Sequence, residues 1–269
     1  MACNTEPDSR YVIAIGAAAL DEYYTADTWP SEGGKAMVDY KEDMIGGMIP
    51  NAACVFAGYG VHTYLVDTLK NNSKKTDMIV SDLKAHGVKT GLLRYQDDIP
   101  DARTIIILTH RERTILVVEP HKPLLDIKAC ELDIFRKASY IYTTPVELKN
   151  IRNYMEFVDD MKNHHVKLAF DIEASTVDAC DKELIYKGDV LFFNEFGFEK
   201  IKGNRGEEEA FSEMFENGVE IATITLGEKG SFTATKNETF RTPAVKQQVV
   251  DTTGAGDTFN SSFITYLLM

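Results

Sequence analysis

The stretch "VVDTTGAGDTFNSSF", residues 249 to 263, carries the densest set of residues able to do chemistry. Gly254, Ala255 and Gly256 make a turn, Asp257 follows at once, and "DTFNSSFITYLLM" then reads as a helix. The first amides of a helix lack internal partners and carry the positive end of its dipole. Glycines let such a backbone wrap closely around an anion, because no Cβ intervenes. A turn of this kind can stabilise charge gathering on a transferring phosphoryl group, and a carboxylate beside it can take the proton of an acceptor hydroxyl. On these residues alone a simpler reading stays open, since Asp is a common helix cap and Gly-x-Gly a common turn. Two other phosphate-binding loops do not fit. The "GGK" at 33–35 is followed by Ala36, so no GxxxxGK[ST] occurs, and Phe259 stands where GxGxxG needs its third glycine.

The elements that must position this turn alternate between two periodicities. "YVIAIG", "TYLVDTL", "KLAFDI", "DVLFFNE" and "EIATITLG" read as buried strands. "KTDMIVSDLKAHG" places Met78, Ile79 and Leu83 on one helical face, and "NIRNYMEFVDDMKNHH" does so with Ile151, Tyr154, Met155, Val158 and Met161. Strand, helix and strand in repetition predict an α/β fold with a mainly parallel sheet covered on both faces. Residues 22–45 and 89–119 break the alternation and read as strands and turns. They are expected to form a small β-appendage over the carboxyl edge of the sheet, where open α/β sheets bind ligands; a plain edge hairpin accounts for the pattern equally well.

The 269 residues suffice for one large domain, and 44% hydrophobic content permits a sizeable core. A net charge of −13 disfavours nucleic acid as a partner, and a nucleotide site here needs local positive potential from helix N-termini or bound cations. No apolar run approaches the roughly 20 residues of a membrane span. The first ten residues lack the apolar stretch of a signal peptide. Cys3, Cys54, Cys130 and Cys180 form no CxxC pair. A cytoplasmic protein is the expectation.

The string "DTTGAGDTF" resembles the C-terminal signature of the ribokinase-like sugar kinases, the phosphofructokinase-B type family, and the resemblance extends across nearly the whole chain. "AIGAAALDEY" is similar to the family's opening strand, whose trailing aspartate, here Asp21, binds substrate hydroxyls. "GGMIPNAACVFAGYG" resembles its first signature and implies Gly46, Gly47 and Asn51 as sugar-binding residues. "TLGEKG" resembles the turn that holds ATP and implicates Thr225, Gly227 and Gly230, while "DVLFFNE" implies Asn194 near the phosphates and magnesium.

By that resemblance the fold is a three-layer α/β/α sandwich in a single domain, with residues 22–45 and 89–119 as a β-lid that often forms a homodimer interface. Asp257 is then the catalytic base and the amides of Ala255, Gly256 and Asp257 the anion hole, built on the turn at Gly254. The family further implies ATP and magnesium, and in some members a potassium ion beside Asp251 and the backbone of Thr253. Singly, Asp21 could cap a turn, Gly46 and Gly47 punctuate a loop, and Asn51 cap a helix.

Three departures stand out. The family's Asn-x-x-Glu places a magnesium-organising glutamate where this chain has Gly197, leaving Glu195 or Glu199 as substitutes. "YLVDTLKNNSKKTD" lacks the usual glycine-and-aspartate turn. The sequence given stops inside the helix after the glycine turn, and the resemblance leads us to expect further elements walling the adenine pocket. The reading is an ATP-dependent kinase acting on a hydroxymethyl group of a sugar or sugar-like molecule. The alternatives are a nucleoside kinase of the same fold and a non-catalytic sugar- or nucleotide-sensing protein on that scaffold.

Overall fold

A computed structural model describes residues 10–110, 112–118, 121–248 and 252–269. The chain opens with β1 (Tyr11–Ile15), β2 (Ala19–Thr25), β3 (Asp39–Gly46) and α1 (Met48–Gly58). It continues with β4 (His62–Val66), β5 (Thr68–Lys70), α2 (Lys74–Ala85), β6 (Arg94–Gln96), β7 (Arg103–Leu108) and β8 (Arg113–Val118). Next come α3 (Leu132–Arg136), β9 (Tyr140–Thr143), α4 (Pro145–Lys149), α5 (Tyr154–Asn163), β10 (Lys167–Ile172), α6 (Ala174–Ala179) and α7 (Lys182–Ile185). The last part holds β11 (Val190–Asn194), α8 (Glu195–Lys202), α9 (Glu207–Glu216), β12 (Ile221–Thr225), β13 (Ser231–Thr235), β14 (Thr239–Thr242) and α10 (Ala255–Leu268).

Eight strands form the central sheet in the order β14-β13-β12-β11-β10-β9-β1-β4. The six from β12 to β4 run parallel, and β13 and β14 extend the edge antiparallel. Strand β1 shows why the sheet is covered twice. All five of its residues are buried, because alternate side chains enter opposite layers. Tyr11, Ile13 and Ile15 pack with Phe135 of α3, Val158 of α5, Phe198 of α8 and Met214 of α9. Val12 and Ala14 pack with Phe56 of α1, Leu83 of α2 and Ile264 of α10. The fold is a three-layer α/β/α sandwich.

A second sheet of four strands, in the order β3-β2-β7-β8, stands apart from the first. Its central pair, β2 and β7, is parallel, and the outer pairs are antiparallel. β6 does not join it but pairs with β5. Residues 19–46 and 103–118 thus bound the second sheet, and Asp21 lies within β2 rather than trailing the opening strand. On α2 the buried stripe is Thr76, Ile79 and Leu83, whereas Met78 is exposed. On α5 it is Phe157, Val158 and Met161, while Ile151 is buried just before the helix.

Candidate active site

A cleft of about 1340 Å³ lies between the second sheet and helices α1, α2 and α10. Asp21, Tyr23, Lys41 and Arg113 line it from the second sheet, Asn51 from α1, and Thr253, Gly254 and Thr258 from the start of α10. Asp21 is held by a hydrogen bond from the Thr104 hydroxyl of neighbouring β7; burial pushes its carboxyl up, and that bond opposes the rise.

Two adjacent glycines let α1 approach this carboxylate. A Cβ on Gly46 would overlap the Asp21 carboxylate, and one on Gly47 would collide with the Ala17 carbonyl. Gly47 has φ 107, a value that side chains disfavour, and it is the N-cap of α1. Asn51 therefore sits inside the first turn of α1 and does not cap it.

Gly254, at φ 71, is the N-cap of α10, so Ala255, Gly256 and Asp257 are already helical. The Ala255 amide donates to the Thr252 carbonyl at 3.2 Å, which engages one of the three amides expected to face an anion. The Asp257 amide donates to its own carboxylate, which leaves the Gly256 amide in the open first turn. Asp257 is only 8% exposed and lies one layer behind the cleft wall. Its Oδ2 accepts a 2.8 Å hydrogen bond from Asn51 Nδ2, and a Cβ on Gly254 would stand 3.8 Å from the same oxygen. Burial pushes the Asp257 carboxyl up to about 6; the Asn51 amide opposes the shift and the Glu173 charge adds to it.

The remaining candidates occupy neighbouring strand ends, outside the lining of the cleft. Asn194 ends β11 and caps α8, its Oδ1 accepting from the Gly197 amide at 2.7 Å. That leaves the side-chain NH₂ as a donor. Thr225 ends β12, and its hydroxyl donates to the Phe193 carbonyl at 3.3 Å. Gly227, at φ 55, and Gly230, at φ 93, bound the one-turn 3₁₀ helix at 227–229; a Cβ on Gly230 would overlap the Thr242 carbonyl. Glu195 is exposed and pairs with Lys229 at 3.5 Å. Asp251 lies outside the described residues. Thr253 Oγ1 accepts a hydrogen bond from Arg113.

Four side chains went unnoticed in the sequence. Arg113 reaches from β8 to the turn before α10. Beneath Asp257, Asn260 Nδ2 donates to Asp171 Oδ2 at 2.9 Å, and the Tyr142 hydroxyl donates to the same oxygen at 3.1 Å. Burial pushes Asp171 up to about 7, and the charge of Asp257 adds to the shift. Two signals were available: Asp171 is a carboxylate within the apolar run of a buried strand, and Asn260 follows Asp257 by three residues, on the same helical face.

Residues 9–269 match the family described as pfkB family carbohydrate kinase. The chain belongs to that family. It is a carbohydrate kinase, with the fold of the ribokinase-like enzymes. An ATP-dependent 6-phosphofructokinase of Thermoanaerobacterium thermosaccharolyticum is 22% identical over 97% of this chain and 83% of its own length. A 5-dehydro-2-deoxygluconokinase of Bacillus subtilis is 24% identical, covering 94% of this chain and 82% of its own. The structure of Arabidopsis thaliana ribokinase complexed with ribose and ATP superposes with a TM-score of 0.81 at 22% identity, over 97% of this chain and 86% of that one. Among the described residues no helix is long and apolar enough to cross a membrane.

Proposed function

We propose that this pfkB-family kinase transfers the γ-phosphoryl group of ATP to a hydroxymethyl group of a sugar or sugar-like acceptor held in the cleft, with Asp257 as base. The observation that carries the reading is the hydrogen bond between Asn51 and Asp257. It joins the helix that follows Gly46 and Gly47 to the glycine turn, so groups suited to hold an acceptor and to activate its hydroxyl meet beside Asp21. ATP as the donor is supported by the activity of the phosphofructokinase relative and by the ligands of the Arabidopsis ribokinase structure.

Each residue then has a physical task. Asp21 accepts hydrogen bonds from acceptor hydroxyls. Asn51 holds one oxygen of Asp257 until the reacting hydroxyl approaches past Gly254, where no side chain blocks it. Asp257 takes that hydroxyl's proton as the oxygen attacks phosphorus in line and ADP leaves with the bridging oxygen. The amide of Gly256, with the helix dipole, faces the charge that develops on the phosphoryl group, and Arg113 brings a fixed cation to the same turn. Asn194, Thr225, Gly227 and Gly230 take the nucleotide along the strand ends. Closure of the second sheet over the cleft excludes water and limits ATP hydrolysis.

Magnesium supplies charge neutralisation on the phosphates when it is bound with ATP. Among the described residues no group of three His, Cys, Asp or Glu side chains could hold a metal ion alone. That fits an ion carried by the triphosphate and water and touched by one or two carboxylates. A side chain at position 197 is barred, because a Cβ there would stand 2.6 Å from the Ile172 carbonyl. The carboxylates left for that task are Glu195 and Glu199, both exposed and paired with Lys229 and Lys202. A homodimer through the second sheet belongs to the same proposal, since β8 is its edge strand and exposes Ile115, Leu116 and Val117. Sedimentation of the purified chain tests it, and a monomer at micromolar concentration would remove it.

The activity test is ATP-dependent phosphorylation across pentoses, hexoses, keto-acid sugars, phosphosugars and nucleosides, comparing wild type with Asp257→Asn. The expected result is product from a sugar in wild type and a loss of about 10²–10⁴-fold in kcat in the variant. Wild-type turnover by the variant sinks the assignment of the base. A preference for nucleosides moves the reading to the nucleoside kinases.

A further inference from the structure

Asp171, Tyr142 and Asn260 make a buried polar cluster that the phosphoryl-transfer reading does not use. Asp171 lies at the carboxyl end of β10 and Tyr142 on neighbouring β9; Asn260 lies on α10, one turn after Asp257. They are 8%, 0% and 3% exposed. Asn260 Nδ2 reaches both Asp171 Oδ2 at 2.9 Å and the Tyr142 hydroxyl at 3.3 Å. Asn260 Oδ1 is buried and has no hydrogen-bond partner. Three apolar side chains would fill this junction at lower cost, because buried polar atoms lose water and one of these is left unsatisfied. A cluster that costs stability directly behind a reacting carboxylate points to a task there.

We infer that Asp171 is a positioning residue for Asp257: through Asn260 it anchors α10 one turn behind the base, and it places a second ionisable carboxyl there. The inference rests on the reading of Asp257 as base. The ionisable groups facing Asp171 are Asp257 on α10, Tyr142 on β9 and Glu173 on the turn that follows β10. Burial disfavours charge on both aspartates, and the charge of Asp257 raises Asp171 further. The two titrate as a coupled pair, their protons leaving in two steps that belong to the pair. Once Asp171 is ionised, its negative charge strengthens the pull of Asp257 on the acceptor's proton. Turnover should therefore climb in two steps with pH.

The test is kcat against pH from 5 to 8.5, with an acceptor turned over in the panel, for wild type, Asp171→Asn, Asp171→Leu and Tyr142→Phe. Carboxyl-carbon NMR titration of the free proteins and melting temperatures accompany it. Asn at 171 can still accept from Asn260 but cannot ionise. We expect D171N to keep sugar KM within about twofold and the lower step, to lose the upper step, and to lose about tenfold in kcat at pH 7.5. D171L should lose about tenfold more, because the anchor to Asn260 goes with it. Y142F removes a hydrogen bond that favours the ionised form, so its upper step should move to higher pH; this variant serves if D171N does not fold. In the NMR titration one of the three late-titrating carboxyls, Asp67, Asp171 and Asp257, should vanish in D171N. A D171N profile superimposable on wild type, or equal kinetics for D171N and D171L, overturns the proposal. Full activity in D257N sinks the base assignment instead, so the two failures are distinguishable.

Discussion

Arg113 brings a delocalised positive charge from the second sheet to the turn before α10, where it donates to Thr253. A carboxyl-rich chain of net charge −13 must gather positive potential locally to hold a polyphosphate, and a guanidinium at the mouth of a helix N-terminus does so in fixed geometry. Arg113→Gln should lower kcat by about 10²-fold and leave the sugar KM within about threefold, read from steady-state kinetics at saturating ATP. A variant changed only in sugar KM would show that Arg113 contacts the acceptor instead. Asp257 and Asn51 could be picked out from sequence because each sits beside glycines in a pattern with its own physical reason. Their hydrogen bond could not, since it spans 206 residues and depends on α1 and α10 packing side by side. Arg113 was missed for a related reason. Alternation in β8 gives the face of a side chain, whereas the sheet that β8 edges decides what that face meets.

The glycines at 46 and 47 show what an element contributes that single residues do not. Strand β3 ends against β2 so closely that Gly46 lies over the Asp21 carboxylate, and the chain must then turn at positive φ to begin α1. Gly46→Ala should push Asp21 out of place and raise the sugar KM by at least about tenfold while moving the melting temperature by only a few degrees, a contrast that kinetics and calorimetry together resolve. A second device pins the two places where the chain crosses between sheets. Asp67, at the end of β4, accepts from the Ala18 amide at 2.9 Å before β2 and from Lys122 Nζ at 2.5 Å after β8. Burial pushes Asp67 up to about 6 against the opposing pull of Lys122. Lys122→Met should cost about 3 kcal/mol at pH 7.5 by urea denaturation and distinctly less at pH 5, where Asp67 takes up a proton and no bare charge remains. An equal cost at both values would mean that lost packing, not lost charge, weakens the variant. Strand order was readable in outline from alternation, but which segments formed the second sheet was not: "LLRYQ" lies next to it in sequence and yet pairs with β5.

Across the whole molecule, three buried aspartates tie stability to pH in a direction opposite to ordinary acid denaturation. Asp67, Asp171 and Asp257 are raised to about 6, about 7 and about 6, against roughly 3.9 in an unfolded chain. Between about pH 4 and 7 the folded state therefore binds more protons than the unfolded one, and the stability these groups lend falls as pH rises through that window. Asp160 and Glu22 are lowered by their Arg136 and Lys75 partners and act in the opposite sense, but below the window, as they gain protons. The excess of surface carboxylates pushes in the same direction as the buried three, so the two must be separated: salt at 0.5 M screens exposed charge and leaves the buried groups little affected. The urea midpoint in high salt should fall steadily from pH 5 to pH 7.5, by an amount corresponding to a few kcal/mol. Asp171→Asn and Asp257→Asn should each flatten that slope, because each removes one proton from the folded state's excess. A midpoint that stays level or rises with pH in wild type would mean that these carboxyls are ionised at little cost, and that the polar junction behind α10 is more open to water than its burial implies.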